Sequence, residues 1–437
     1  MKSCAYITAC ILLTAFCQAT EPQGDQSASN PLTPKRLSLT QRLSEKFMTR
    51  LDADRKTLAA KVQPFESPFP LHRGTFHFHS HFSHDSVGTL NEIVAAAKAT
   101  NTKIIGFTEH PSRAVDVVAE NVKGWHQDIY FLAGTESNNQ LHWPAHQQEP
   151  ELRFLCHPED IPTFDLTLYQ GMEIYNTHSD VIDEPMSALL TAMLFNLSAV
   201  QKHPEAAFCS FLDYPENFLA RYDRLTRLTH LPGIAGNDSH QNQRLKLVAQ
   251  PDGTVQAFDA SEEQVWQDKG LKAGLVMAAL GQTKLPSKEK TLADIQLDPY
   301  KISMRHVGTF LQLKDQQEIN EHSVRQALRN GRVILGFELI APLPSVGFWI
   351  NHQGKPIGTV GDTIPWQDNL SLHVKLPLEA EIRIIRNGNP YRTTTASQLE
   401  INALSDGIYR LEAFQHLAGQ RYPWVLSNPI YITDNPE

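Results

Sequence analysis

A repeated pattern of apolar and polar positions fills residues 74 to 245: a short apolar run, a polar residue at its end, then a helical stretch. Short continuous apolar runs are typical of strands covered on both faces. The runs are 103–108 before Glu109 and His110, 129–134 before Glu136, 154–156 before His157, 171–176 before His178, and 233–236 before Asp238 and His240. In parallel α/β folds the carboxyl ends of the strands meet at one rim, where loops form the active site. The pattern therefore favours an α/β barrel over an all-β arrangement.

Helical patterns lie on both sides of this region. Before it, one apolar residue recurs every four positions, at Leu39, Leu43, Phe47 and Leu51. That spacing places one apolar stripe on a helix. After it, residues 245–340 contain polar loops and then a helical stretch at 321–330, which closes with Gly331 where a left-handed cap is expected. We predict that the first helix packs against the main domain.

The pattern changes to strict alternation after Pro342. Apolar residues alternate with polar ones at Leu370, Leu372, Val374 and Leu376, and again at Tyr409, Leu411 and Ala413. Asn387-Gly388, which follows Ile382 and Ile384, is a turn-forming pair. The alternation predicts a small antiparallel β domain, in the form of a sandwich.

The chain length of 437 residues suits one large enzymatic domain plus a smaller one. The predicted organisation is a signal peptide at 1–19, a polar linker at 20–36, an N-terminal helical segment at 37–73, a barrel at 74–340 and a β-sandwich domain at 341–437.

The leader has the parts of a secretory signal: Lys2, an apolar stretch from Ala5 to Phe16, and small residues near Ala19. The apolar stretch is shorter than the about 20 residues that a membrane span needs. A lipoprotein site at Cys17 is less favoured, because the bulky Phe16 stands where such sites have a small residue. We therefore expect an exported protein, periplasmic or extracellular, with no membrane span in the mature chain.

Charge and cysteine content narrow the function classes. The net charge of -9, without a long Lys/Arg run, argues against bulk nucleic acid as a partner. Of the five cysteines, Cys4, Cys10 and Cys17 lie in the leader, so no disulfide scaffold is expected. Cys156 lies in an apolar run, and we interpret it as a buried strand residue rather than a thiolate ligand or nucleophile.

Histidines and carboxylates at the predicted strand ends are candidate metal ligands. His77 and His79 lie two residues apart, so in a strand both imidazoles point the same way. The other candidates are His84, Asp85, His110, Glu136, His157, His178, Asp238 and His240. Imidazole and carboxylate together suit zinc, manganese or iron, whereas calcium and magnesium favour oxygen ligands.

Each candidate also has a purely structural interpretation. His110 and His157 both precede a proline and could start turns, and Asp238 could cap a helix. Taken together, however, surface histidines have no reason to lie at successive strand ends. The joint pattern therefore predicts a shared metal site, whereas His203, His230, His352 and His416 lack this placement.

The motifs resemble those of the polymerase and histidinol phosphatase (PHP) superfamily. The run from His77 to Asp85 is similar to its opening motif, Thr108-Glu109-His110 to its second, Gly134-Thr135-Glu136 to its third, His157-Pro158 to its fourth and Asp238-Ser239-His240 to its last. They appear in the family's order over residues 74 to 240. The tail segment Ser427-Asn428-Pro429-Ile430-Tyr431 resembles the closing strand of exported PHP proteins grouped with carbaryl hydrolase.

The resemblance implies a distorted (β/α)7 TIM-like barrel with two or three divalent metal ions, Zn²⁺, Mn²⁺ or Fe²⁺, at the strand ends. It implies a first ion on His77, His79, Glu136 and Asp238; a second on Glu136, His157 and His178; and a third on His110, His240 and either His84 or Asp85. His84 stands where the family has an aspartate, so the choice between it and Asp85 stays open. Glu136, Asp238 and His178 are the expected catalytic residues.

The function expected from this site is metal-dependent hydrolysis by a metal-activated water. A phosphoester substrate is favoured, and the tail resemblance makes a carbamate, amide or ester the alternative. A non-catalytic metal- or ligand-binding protein of the cell envelope is the competing class. DNA polymerase proofreading is opposed by the acidity and the expected export. The sequence leaves the small-molecule substrate and the oligomeric state open.

Overall fold

The computed structural model describes residues 37–111, 122–143, 152–161, 163–182, 192, 196–313 and 318–434. The predicted signal peptide and linker, residues 1–36, lie outside the described residues. Within these ranges, every helix is too short or too polar to cross a membrane. The chain is a mixed α/β protein with one large sheet and few helices.

Parallel strands form the part of the sheet that carries the motifs. In order across the sheet they are β4 (Ile129–Leu132), β2 (Ile104–Phe107), β1 (His72–Phe78), β9 (Gly233–Ser239), β8 (Gly171–Asn176) and β7 (Leu152–Leu155). The short strand β3 (Gly124–His126) pairs antiparallel with β4. Because the six strands are parallel, their carboxyl ends share one rim.

A hairpin closes the circuit of pairings. The strand β6 (Gln140–Trp143) pairs antiparallel with both β7 and β5 (Thr135–Ser137), and an isolated parallel bridge joins Thr135 to Glu109 at the end of β2. The pairings therefore return to β2, and the sheet is closed. A full alternation with α-helices is not seen in the described residues, since the 3₁₀ helices Pro158–Asp160 and Leu166–Leu168 connect β7 to β8.

The described ranges also contain α-helices. They are α1 (Leu39–Arg42), α2 (Glu45–Ala59), α3 (Leu90–Ala99), α4 (Thr177–Ile182), α5 (Leu197–Lys202), α6 (Pro204–Cys209), α7 (Glu216–Leu225), α8 (Leu271–Ala279), α9 (Tyr300–His306) and α10 (Glu321–Arg329). Ser38 and Ser44 cap α1 and α2, because each side-chain oxygen accepts a bond from a backbone N–H of the first turn. Leu43 and Leu51, two members of the four-residue stripe, are fully buried.

A small antiparallel sheet follows the last motif, where the sequence had predicted polar loops. Its strands are β10 (Arg244–Ala249), β11 (Val255–Phe258), β12 (Gln264–Asp268) and β13 (Lys290–Gln296), in the order β12-β11-β10-β13. The prediction was wrong because one face carries charged groups, with Arg244 paired to Glu262 and Asp294. Leu247 and Ala249 on the other face are buried with α8.

The C-terminal strands are antiparallel and continue the large sheet. β14 (Gly308–Leu311) pairs with β1, β15 (Val333–Gly336) with β14, and β22 (Gln420–Ser427) with β15. The others are β16 (Gly347–His352), β17 (Lys355–Thr359), β18 (Thr363–Pro365), β19 (Leu370–Arg386), β20 (Asn389–Asn402), β21 (Gly407–Leu417) and β23 (Ile430–Thr433), and of these only β18 and β23 pair parallel within the described ranges. Asn387 and Gly388, both with positive φ, form the tight turn between β19 and β20.

Candidate metal centre

The two histidines of the first motif converge on one carboxylate. The Nε2 atoms of His77 and His79 lie 3.0 and 3.2 Å from Oε2 of Glu136, and both side chains are fully buried. The strand is irregular here, because His77 has φ +55° and the pairing register shifts between Phe76 and Phe78. Simple strand alternation therefore does not describe the backbone, although both imidazoles still face the same point.

Asp238 completes this first group from the end of β9. Its Oδ1 atom is 3.3 Å from Nε2 of His77 and 3.6 Å from Nε2 of His79. One ligand atom from each of these three residues and Glu136 lies within 4.8 Å of all the others. Two imidazoles and two carboxylates at this spacing can hold one divalent cation.

A second group shares Glu136. His157 follows β7, and its Nε2 atom lies 3.4 Å from Oε1 of Glu136 and 3.6 Å from Oδ2 of Asp238. His178, near the start of α4, is more distant: its Nδ1 is 4.0 Å from Asp238, and its side chain is 45% exposed. Glu136 thus turns one oxygen toward each group, as a bridging carboxylate would.

Cys156 lies beside this second group. It is fully buried just after β7, and its Sγ is 3.6 Å from Oε1 of Glu136. Burial and the carboxylates Glu173 and Glu136 hold the pKa of the thiol well above its usual range. Interpreting it as a buried residue described its exposure but missed its contact with a candidate ligand.

A third group forms on the other side of His79. The Nε2 atoms of His110 and His240 lie 3.3 and 3.5 Å from the two oxygens of Asp85. The rings of His79 and His240 stack with their centroids 4.1 Å apart. His84 is exposed, with its ring centroid 5.1 Å from that of His110, whereas both oxygens of Asp85 face imidazoles of this group.

The carboxylates of the centre are ionised, so their negative charge must be balanced. Burial raises the pKa of Glu136 and Asp238, but the surrounding histidines, His77 first, lower both far below the usual range. Burial lowers the pKa of His157, yet Glu136 and Glu159 raise it to about 11. Both carboxylates are therefore ionised at neutral pH, and their charges must be balanced by protonated imidazoles or by bound cations.

Unpaired buried atoms point to cations. Nε2 of His79, Nε2 of His240 and Oδ1 of Asp85 are all buried without a hydrogen-bond partner within the described chain. A buried polar atom left without a partner costs about 1 to 3 kcal/mol. All three atoms have a lone pair that can bind a metal. Those of Asp85 and His240 belong to the third group, and that of His79 lies beside it. The donor set therefore fits a divalent cation that accepts nitrogen and oxygen ligands.

Neighbouring groups determine which nitrogen of His79 carries the proton. The hydroxyl of Ser83 donates to Oε2 of Glu109 and accepts from the backbone N–H of His110. Its remaining lone pair faces Nδ1 of His79 at 3.1 Å, so that nitrogen must donate. The Nε2 lone pair of His79 is thereby free to face the cation site.

Sequence reasoning missed Glu109 and Glu173 as parts of the centre. Glu109 was visible inside the second motif, and Glu173 as a charged residue in the apolar strand Met172-Glu173-Ile174. Both carboxylates are buried. Glu173 contacts the candidate ligand His77, and Glu109 accepts a hydrogen bond from Ser83, the partner of His79.

Comparison with known proteins agrees with this geometry. Residues 75–258 match a family model described as the PHP domain, which supports the PHP superfamily for this region. Searches of curated proteins and of solved structures returned no match. Proteins with PHP domains are generally metal-dependent hydrolases.

Proposed function

We propose that this protein hydrolyses small phosphoesters with the help of two or three bound divalent cations. The observation that carries the proposal is the convergence of histidines and carboxylates from distant chain segments, with three buried ligand atoms unpaired. The PHP-domain match over residues 75–258 supports a metal-dependent hydrolase independently.

We assign ligands by these distances. His77, His79, Glu136 and Asp238 would hold the first cation, and Glu136 and His157 the second. His178 joins the second group by the family resemblance and by its approach to Asp238 at 4.0 Å. Asp85, His110 and His240 would hold the third, beside His79. Zn²⁺, Mn²⁺ and Fe²⁺ all accept this mixture of imidazole and carboxylate.

Bound cations of this type lower the pKa of water and neutralise charge that builds up at the attacked atom. The residues of the chain have separate tasks. Glu136 and Asp238 stay ionised and link the three groups. His178, whose side chain is 45% exposed, is the assigned ligand most accessible to a substrate atom at the rim.

Phosphoesters are favoured because an anionic substrate suits a centre that gathers cations, with the exposed His84 beside His110. The alternative is a carbamate, amide or ester, supported by the resemblance of the tail to exported proteins grouped with carbaryl hydrolase. A metal-binding protein without catalysis is the competing class.

The closed arrangement of six parallel strands and an antiparallel hairpin supports a distorted (β/α)7 barrel, and the alternating strands after residue 341 support a C-terminal β-sandwich domain. Export, periplasmic or extracellular, is a further proposal, and it rests on the pattern of the leader alone.

The experiment begins with metal-free protein, supplemented with Zn²⁺ or Mn²⁺ and screened against phosphomonoesters, phosphodiesters and aryl carbamates. We expect turnover only with metal, and fastest on a phosphoester. His79→Ala and Asp238→Ala should each abolish it, whereas His416→Ala should not, because His416 lies on β21 and is 58% exposed. A protein that binds cations but hydrolyses none of these compounds would be the non-catalytic binder.

A further inference from the structure

Glu173 is a fully buried carboxylate in the middle of β8, with apolar neighbours on either side in the chain. An ionised carboxylate in such a place is costly unless its oxygens are paired. Both oxygens are paired here. Oε1 lies 2.6 Å from Nδ1 of His77, and Oε2 accepts bonds from the backbone N–H of His157 and the side-chain amide of Asn176.

The contact with His77 decides the role of each nitrogen in that ring. A carboxylate only accepts hydrogen bonds, so Nδ1 of His77 must carry a proton and donate it to Glu173. Nε2 is then the only nitrogen left to face Glu136 and Asp238. Metal-binding histidines commonly have such a carboxylate on their outer nitrogen, which fixes both the tautomer and the ring orientation.

The contact with His157 supports an unusual backbone. His157 has φ +46°, a left-handed conformation that few residues other than glycine and asparagine adopt. Its N–H donates to Oε2 of Glu173 over 3.1 Å. The carboxylate therefore helps to hold the turn that aims the His157 ring at Glu136.

The contact with Asn176 extends to the start of α4. Nδ2 of Asn176 donates to Glu173 over 2.9 Å, and its Oδ1 accepts the backbone N–H of His178 over 2.7 Å. Through Asn176, the same carboxylate is connected to a third candidate ligand.

The neighbouring strand leaves room for this carboxylate. A Cβ atom built on Gly236 of β9 would lie 2.0 Å from Oε1 of Glu173. Any side chain at this position would therefore displace the carboxylate from His77. The space at Gly236 suits a glutamate that must reach His77 at the carboxyl end of β1.

We propose that Glu173 is a positioning residue for the metal centre, which fixes His77 directly, His157 through its backbone and His178 through Asn176. The inference rests on the proposed function only in assuming that these histidines bind cations. Glu173 contacts His77, His157 and Asn176 and acts on the centre through these three neighbours.

The first test is Glu173→Gln, which keeps the shape but replaces one acceptor oxygen by an NH₂ group. In either orientation that group must face a donor, either Nδ1 of His77 or the N–H of His157. Calorimetric titration of the metal-free protein with Zn²⁺ or Mn²⁺ alone should show affinity about 10- to 100-fold weaker than wild type. Glu216→Gln, at an exposed position of α7, is the matched control and should bind as wild type.

A second measurement separates positioning from general destabilisation. In a His77→Ala background, Glu173→Gln should weaken binding by a smaller factor than in wild type, because one of its targets is gone. An equal factor in both backgrounds would overturn the proposal. If Glu173→Gln does not fold, Asn176→Ala replaces it. This variant removes the hydrogen bonds that connect Glu173 to the backbone N–H of His178, and it should weaken binding about fivefold. Unchanged affinity would count against the inference.

The outcomes also separate this inference from the proposed function. A wild-type protein that binds no cation would remove the basis of both. A wild-type protein that binds cations, with Glu173→Gln binding them equally well, would overturn the positioning role alone.

Discussion

Asp85 and His84 are neighbours in the chain with opposite surroundings. Both Asp85 oxygens face imidazoles of the third group, whereas the His84 ring is exposed. Burial raises the pKa of Asp85, but the hydrogen bond with His110 and the electrostatic effect of His240 lower it to about 2. The aspartate is therefore charged at neutral pH.

From this difference we predict that Asp85→Ala loses one bound cation per chain and at least about 100-fold in turnover, because the loss of a ligand typically removes several kcal/mol of cation binding. His84→Ala, its matched control, should keep the metal content of the wild type. Elemental analysis of both variants, with rates on the best substrate of the screen, makes the comparison. Equal metal content in the two variants would contradict the assignment.

His306 provides a pH-dependent element of stability away from the metal centre. The hydroxyl of Tyr175 donates to Asp180, so it must accept from Nε2 of His306, and Nδ1 is left without a partner in the described parts of the chain. Complete burial lowers the pKa of His306 to about 3. Between that value and the usual value near 6.5, the unfolded chain binds a proton that the folded chain does not.

The contribution of neutral His306 to the free energy of unfolding should therefore be fully present above about pH 6.5. Below that pH the free energy of unfolding should fall, with a slope of up to about 1.4 kcal/mol per pH unit from this residue. His306→Gln, which can still donate to Tyr175, should show a shallower fall. Urea titrations of both metal-free proteins at pH 7.5, 6.5 and 5.5 measure this, since other titrating groups contribute equally to both. Parallel curves would rule out the effect.

At the residue scale, the sequence predicted the types of residue in the site better than their roles. Histidines at strand ends are visible as a pattern, and the structure brings His77, His79, His110, His157 and His240 together. The proton on Nδ1 of His79 depends on Ser83 and Glu109, contacts that only the folded chain creates. The same holds for Glu173 and for the left-handed backbone at His77, His157 and Asp238.

Asn428, between β22 and β23, shows how the C-terminal segment supports the motif strands. It is buried, its Oδ1 accepts from the N–H of Gly233 and the hydroxyl of Tyr222, and its Nδ2 donates to the carbonyl of Gly331. The tail segment that contains it was noticed for its resemblance to a family of exported proteins. Its physical task is to attach the C-terminal strands to the beginning of β9.

We expect Asn428→Ala to lower the free energy of unfolding by about 3 kcal/mol, because three buried groups lose a partner and each costs about 1 kcal/mol or more. Asn402→Ala, at an exposed end of β20, should change it by less than about 0.5 kcal/mol. Chemical denaturation of the two variants and the wild type tests this. Similar stabilities for both variants would show that the Asn428 contacts are not needed.

At the scale of elements, strands with a clear period could be predicted and the inserted sheet could not. Leu370, Leu372 and Val374 alternate with polar residues and are buried as the period requires. In β10, Arg244 and Lys246 pair with acidic groups across the surface, so the charges hide the alternation of Leu245 and Leu247. Pairings such as His72 with Leu311 leave no local pattern at all.

The proposed ligands are spread over a long segment of the chain, from His77 to His240. A cation that bound them would therefore bind only the folded chain, because the ligands are dispersed in the unfolded one. Such binding adds about 2.7 kcal/mol to the free energy of unfolding when the free cation is at 100 times its dissociation constant.

We accordingly predict that a chelator lowers the thermal midpoint of the wild-type protein and that Zn²⁺ or Mn²⁺ restores it. Asp238→Ala, which loses a ligand of the first cation, should show a smaller rise of the midpoint on addition of cation than the wild type. Scanning calorimetry of both proteins under the two conditions provides the measurement. A wild-type midpoint that ignores chelator and cation alike would argue against a folded-state metal centre.

The attachment of β9 to Asn428 has a consequence for the order in which a newly made chain acquires its centre. The backbone N–H of Gly233 bonds to Asn428, which is synthesised 195 residues later. A ribosome adding about 5 to 20 residues each second needs about 10 to 40 s to make that stretch. During most of that time every proposed ligand has been synthesised, but β9, which carries Asp238, still lacks its contact with Asn428. Loading with metal is therefore expected to follow synthesis, and stalled chains that end before residue 428 should retain no cation when isolated.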